Sequence, residues 1–567
     1  MTNRSVIDDK TKYISIGFMI LLCVLYWICE PIGVDMPFHM LRIGELGKEI
    51  ARDGTFPVYM FKDVYYGYGY PIPIFYCATF LYPFALLVSV GLSEIVAYKI
   101  MVVTLLWATF FCAYFCAKAW YKDKDYSFVA AFLYAAQPYF LMDLFVKASI
   151  GEAFAFLFIP LIILGYCFIM KTDQKIKGSI ILACGMAGLV CSHVISTVLV
   201  TIALAIWFIV DFIKNSQKIK VLISIVLSAI LCACISAGYI LPMLEQLLND
   251  RYYAQTSAKL SSIPQSVLGI FIPMHAAKAL SMVTGIDVPM SEVGGALIPV
   301  ALVFIYLFAK GKIKDLKRTD KILIAIYCGI VVSMTVRFVW IPLESIFGFM
   351  QFTWRIYLIA AVIGTALFIL LTQREYNCKF TRVQVLITIF SGIYVLAVCF
   401  GYFGAKRLSN ATVNRSTIEY SSETGDILYI SQKTDPYSIK DMERIVTSDD
   451  NVEFTYEVNE VSEVISINID KNTSEKEAHF EVPFLFYKGY EAYYKDDNEK
   501  LEINQSNNAL VEITVPAGNT GEIEVKYTGT KLQKFSLYFS TITMLIVVIA
   551  YYLFCVRDVK RRNLKWE

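Results

Sequence analysis

Charge is scarce in this chain. Only 18% of its 567 residues are Asp, Glu, Lys or Arg, where a soluble globular domain carries about 25%. The formal net charge is only +2 and no basic block occurs, which excludes a nucleic-acid partner. Cysteine is missing from the segment 404–531, so that segment does not rely on disulfides. Elsewhere the 14 cysteines are scattered, mostly within apolar runs. Cys232 and Cys234 have no His or Cys nearby at ligand spacing, and they read as small buried hydrophobes. Also missing is a small-residue cleavage pattern after the first apolar stretch, Tyr13 to Cys29. That stretch, preceded by Arg4, Lys10 and Lys12, reads as an uncleaved first span with a cytoplasmic N-terminus.

What remains is apolar: 57% of residues are hydrophobic and the mean hydropathy is +0.55. Apolar runs near the length needed to cross a bilayer lie at 13–30, 97–117, 127–143, 153–170, 179–192, 195–213, 221–243, 294–309, 322–336, 355–372, 383–403 and 535–555. With twelve spans and the N-terminus inside, every Lys/Arg cluster falls on the cytoplasmic side: 118–124, 171–177, 214–220, 310–321, 374–382 and 557–565. Counting 72–90 as a further span would break that pattern, so it is expected to be a juxtamembrane or re-entrant helix on the outer side. The same assignment puts all four histidines (His39, His193, His275, His479) outside, where any chemistry is then expected.

From about 452 the pattern changes to alternating polar and apolar residues (VEFTYEVNEVSEVISINI, then HFEVPFLFY, ALVEITV and GEIEVKY), which predicts strands and an antiparallel β-sandwich. Over 405–531 there are 24 acidic and 13 basic residues, a net of −11, which argues against direct docking on anionic lipid or polymer. The expected organisation is a transmembrane domain over 1–403 with an outer loop at 31–96. An extracytoplasmic β-rich domain follows over 404–531, then a final span and basic cytoplasmic tail over 532–567.

The outer loop collects Asp35, His39 and Arg42 where the first span ends. Pro37 suits the first turn of a helix running to about Ala51. Asp35 would precede its N-terminus, where the dipole favours an ionised carboxylate, and His39 and Arg42 would share a face. The plainer alternative is a capping Asp beside interfacial Arg and His. Further on, YYGYGYPIPIFY (65–76) forms a tyrosine-dense loop. Its rings, Tyr68 and Tyr70 among them, suit sugar stacking or an ordinary interfacial belt.

These residues carry a resemblance. D-x-x-F-H-x-x-R-I, G-T-F-P and Y-G-Y-G-Y-P, with S-x-G-E-A-F at 149–154, S-H at 192–193, Q-F-T-W-R at 351–355 and V-P-F-L-F-Y-K-G-Y-E-A-Y near the C-terminus, resemble the YfhO-like bacterial membrane proteins. That group belongs to the GT-C glycosyltransferases and is also labelled 6-pyruvoyl-tetrahydropterin synthase-related. Tyr490 stands where the family usually has tryptophan. The resemblance implies a GT-C-like helical membrane protein that transfers sugar from a polyprenyl-phosphate donor to a cell-envelope acceptor, such as a teichoic acid or other surface glycan. Asp35 would be general base, with His39 beside it, and the anomeric centre would invert. Candidates to hold the donor phosphate are Arg355, Arg251, Arg42 and Arg337, with Lys147 a further outer cation. Asp143, Glu152, His193, Tyr68 and Tyr70 are candidates for the acceptor or sugar, although Asp143 or Glu152 would equally pair with Lys147. The resemblance leaves a divalent metal on Asp35, His39 and Asp143 open, since some GT-C relatives use one, and nothing in the spacing requires it; no cofactor is certain. Two rival readings are a lipid-linked sugar flippase, which should carry charges at mid-membrane depth, and a non-catalytic scaffold whose β-domain binds a ligand.

Overall fold

The computed structural model describes residues 5–29, 33–272, 280–281, 284–286, 293–375, 377–408, 427–448, 451–459 and 464–563. His275, the loop start at 30–32 and the linker 409–426 lie outside the described residues. Among the described residues, eight helices are long and apolar enough to cross a membrane: Asp9–Cys29, Glu94–Tyr121, Ile150–Lys171, Val194–Ile213, Lys218–Asn249, Thr353–Glu375, Cys378–Ala397 and Lys531–Phe554. Two bent pairs, Lys124–Ala135 with Pro138–Phe145 (51°) and Arg318–Thr335 with Arg337–Met350 (95°), raise the number to ten if each is one span. In the first pair Pro138 cannot continue the preceding ladder, and it opens a new helix instead.

Twelve spans are therefore not confirmed among the described residues, because two of the expected runs form short helices. The runs at 179–192 and 294–309 fold as Lys175–Val190 and Ile298–Ala309, of 16 and 12 residues. At 1.5 Å per residue these are about 24 and 18 Å long, short of a hydrocarbon core of about 30 Å. The apolar run 72–90 breaks into Ile72–Phe75 and Tyr82–Ser89, each with proline in its first turn and neither long enough to cross.

The helix ends sort into two layers. At one, Asp8 pairs with Arg382 at 2.8 Å, Lys12 with Asp125 at 2.8 Å, and Lys312 with Glu375. At the other, the Lys99 ammonium donates to the Trp27 carbonyl at 3.3 Å, and the Asp35 N–H donates to the Lys147 carbonyl at 2.8 Å. The second layer carries the C-terminal sheet.

That sheet has eight strands: β1 Thr447–Ser448, β2 Val452–Asn459, β3 Val464–Asn472, β4 Ala478–Leu485, β5 Tyr490–Tyr494, β6 Lys500–Gln505, β7 Leu510–Val515 and β8 Gly521–Tyr527. All pairings are antiparallel, in the continuous order β1-β4-β7-β6-β5-β8-β3-β2. The expected antiparallel β-sandwich is thus not confirmed: the strands form one antiparallel, barrel-like sheet. Alternation sets its register: Ile465 and Ile467 on β3 face Val525 and Ile523 on β8, and all four are buried.

The tyrosine-dense loop is the seat of this domain. The Tyr70 hydroxyl accepts from the Tyr429 N–H at 2.9 Å, and the Tyr65 hydroxyl donates to the Pro436 carbonyl at 2.9 Å. The Leu485 N–H donates to the Tyr68 carbonyl at 2.8 Å, and the Phe75 and Tyr429 rings stack with centroids 4.9 Å apart. Gln246, on the helix Lys218–Asn249, closes the joint from the membrane side. It donates to the Lys488 carbonyl at 2.8 Å and accepts from the Lys488 N–H at 3.0 Å.

Candidate functional site

The helix Met36–Asp53 begins at Asp35, as the Pro37 signal predicts, yet the Asp35 side chain makes no capping hydrogen bond. It turns instead to the turn at 146–149, where it accepts from the Ser149 hydroxyl at 3.0 Å. Two backbone bonds fix the approach: Val34 N–H to the Val146 carbonyl at 3.3 Å, and Asp35 N–H to the Lys147 carbonyl. Gly33 permits it, because a Cβ there would lie 2.4 Å from the Ala148 Cβ. Asp35 is exposed, with the turn at 146–149 packed beside it. The surrounding protein raises its carboxyl above the usual carboxylate range, while Ser149, Lys147 and Arg355 pull the other way.

The cations beside Asp35 come from two chain segments. Lys147 is buried, ion-paired with Asp143, and enclosed by the Tyr139 and Trp354 rings at 4.4 and 4.0 Å. Arg355 is half-buried and donates to Gln351 Oε1 at 2.9 Å and the Met350 carbonyl at 3.2 Å. Its Nε–H has no hydrogen-bond partner among the described residues. His193 lies within the field of both cations. Its Nδ1 accepts from the Ser196 N–H at 3.3 Å and so caps the helix Val194–Ile213. Burial first, then Arg355 and Lys147, push its pKa down to about 3, so it is a neutral imidazole.

Tyr76 joins these parts. Its ring lies 5.9 Å from that of His39 and 6.4 Å from that of His193, and the Arg42 guanidinium sits over it at 3.9 Å. Its hydroxyl passes over Gly151, where a Cβ would be 2.0 Å away. The S-x-G-E-A-F motif thereby acquires a physical content. Ser149 holds Asp35, Gly151 makes room for Tyr76, and Glu152 accepts from the Tyr139 hydroxyl at 2.8 Å.

Several assignments from the sequence change. Arg42 is buried and spends its guanidinium on the Tyr76 and Cys77 carbonyls at 2.9 and 2.8 Å. It is a strut for the outer loop, out of a donor's reach. His39, also buried, has Nδ1 3.3 Å from Arg42 Nη1. Burial and the Arg42 charge push its pKa well down, which favours the neutral imidazole beside Arg42. Asp143 and Glu152 are fully covered, and their charge and hydrogen bond go to Lys147 and Tyr139, not to an acceptor. Tyr68 and Tyr70 are buried in the domain joint, with no face left for a sugar. Exposed Arg251 sits at that joint, its carbonyl accepting from the Gln432 N–H at 2.8 Å. Exposed Arg337 acts on Glu344 in the turn between two helices. Asp35, Arg355 and His193 are the sequence candidates that lie near one another, exposed Asp35 and half-buried His193 both feeling the Arg355 charge. Ser149 and Tyr76 complete the group, yet sequence marks Ser149 only as a motif letter and Tyr76 only as one of many tyrosines.

The metal set does not assemble, because Asp143 is paired with Lys147 and His39 faces Arg42. Among the described residues no three His, Cys, Asp or Glu side chains converge at a metal-sized site.

Comparison with known proteins adds little. An uncharacterized protein of Lactococcus lactis subsp. cremoris is 29% identical over 85 residues, so the match spans 15% of this chain and 14% of that relative. No family model and no solved structure matches.

Proposed function

We propose that this multi-pass membrane protein is a glycosyltransferase that moves a sugar from a polyprenyl-phosphate donor to a cell-envelope acceptor, with the site and the β-domain outside and both termini cytoplasmic. The observation that carries the reading is an accessible carboxylate, Asp35, held by Ser149 within the field of Lys147 and Arg355 at the end of a helical bundle. The likeness of its motifs to YfhO-like proteins points the same way.

In this mechanism Asp35 accepts the proton of an acceptor hydroxyl as that oxygen attacks the anomeric carbon. The bond from carbon to the lipid phosphate oxygen breaks, and the centre inverts. A general base works best when its pKa approaches the operating pH, so the upward shift at Asp35 favours the role. Arg355, half-buried and with its charge acting on Asp35, supplies positive potential toward the departing phosphate. Lys147, neutralised by Asp143, contributes its field from behind. A neutral His193 adds no positive charge that would drain basicity from Asp35.

The test is transfer of labelled sugar by the purified protein, run against a panel of synthetic polyprenyl-phosphate sugars. Product with at least one donor supports the reading. Movement of intact donor across a liposome bilayer, with no transfer from any donor, would assign the chain to lipid-linked sugar transport instead.

A further inference from the structure

A second site lies at the far end of the helix Met36–Asp53. Glu49 is 14 residues beyond Asp35, about 21 Å along a helix. It borders a half-open cavity of about 520 Å³ between the outer loop, the sheet and the base of the last span. Aromatic rings from all three make its walls, among them Tyr59, Tyr490, Tyr527 and Tyr538. Three lysines line it, Lys62, Lys526 and Lys534, against one acid, Glu49. Glu49 is already neutralised by Arg52 and by Lys62 at 3.6 Å. Lys526 is shared with Glu524 at 3.6 Å, and Lys534 is exposed. The excess positive charge stands out in a C-terminal segment that is otherwise strongly acidic, and it selects an anionic ligand.

The depth of the cavity says where that ligand comes from. Leu537 and Tyr538 belong to the span Lys531–Phe554 and form part of the wall. On the same two turns Phe535, Tyr538 and Phe539 are 62%, 68% and 40% exposed. Such an exposed aromatic face at the start of a span, with Tyr538 in it, suits the headgroup layer of a bilayer. A soluble glycan has no use for a wall built from a lipid-facing helix, whereas a lipid headgroup lies level with it. We propose that this cavity binds the phosphate-bearing headgroup of an anionic membrane lipid, fixing the β-domain to the membrane surface. The proposal does not depend on sugar transfer at Asp35, and its readout is binding.

The full-length protein in detergent is exchanged against dioleoylphosphatidylglycerol or a phosphate-free glucosyl diacylglycerol, and retained lipid is counted by native mass spectrometry. One phosphatidylglycerol per chain is expected, with the neutral glycolipid retained at least tenfold less. Lys526→Gln with Lys534→Gln should cut phosphatidylglycerol retention about tenfold. Lys534→Gln alone, at an exposed position that no buried contact needs, should cut it severalfold if the double variant fails to fold. Equal retention of both lipids, or unchanged retention in the lysine variants, overturns the proposal. Displacement of the lipid by millimolar inorganic phosphate, or by a soluble glycerol-phosphate oligomer at lower concentration than by lipid, overturns it too, giving the cavity to a free phosphate or a glycan.

Discussion

Ser149 and Asp143 show how single side chains set the state of the site. The Ser149 hydroxyl stabilises the ionised form of Asp35 and so holds its pKa down against the upward push of burial. A general base is lost as pH falls through its pKa. Ser149→Ala raises that pKa, so the acid limb of the transfer rate should move to higher pH while the alkaline side stays put. A pH–rate profile of both proteins checks this. Asp143 is 0% and Lys147 2% exposed, so removing one partner strands the other charge. Asp143→Ala should lower stability by about 3–5 kcal/mol, read as a marked fall in melting temperature in detergent. Asp35 is legible in the sequence because a carboxylate one residue before Met36-Pro37 at a span end is a local pattern. The roles of Arg42 and His39 are not, because sequence shows that a cation is present but not that its guanidinium turns inward to the Tyr76 and Cys77 carbonyls.

The elements that meet at the domain joint explain a second set of misreadings. The loop 65–76 looks like a stacking surface because tyrosine suits both sugars and interfaces. Only the fold of the distant segment 427–442 settles which, since Tyr429, Pro436 and Met442 supply the partners. Gln246→Ala removes both halves of a buried reciprocal pair, leaves the Lys488 N–H unpaired and leaves its carbonyl only the 3.4 Å hydrogen bond from the Tyr527 hydroxyl. Each unsatisfied group costs about 1–3 kcal/mol. The β-domain should then be cleaved by protease much faster than wild type under native conditions, with the helical part intact. Strand alternation was a dependable signal, as the β3–β8 register shows. The closure of those strands into one barrel-like sheet was not, because pairing order depends on contacts far apart in sequence.

At the scale of the molecule, charge and hydropathy together gave two layers of helix ends, and the structure has two. Hydropathy alone does not fix the number of spans, because it does not see where a helix stops: Ile298–Ala309 is apolar throughout yet only 12 residues long. The proposed sidedness rests on the lysine and arginine pattern. An epitope inserted at exposed Gly91 should be reached by antibody in intact cells, and one at Asp173 only after permeabilisation; the reverse would invert the topology. The central claim is that the Asp35 carboxylate performs the proton transfer, and reconstituted protein tests it most directly. With a productive donor, Asp35→Asn should slow sugar transfer by about 10²–10⁴-fold while donor binding and melting temperature stay near wild type. An Asp35→Asn protein that transfers sugar at the wild-type rate would contradict the account.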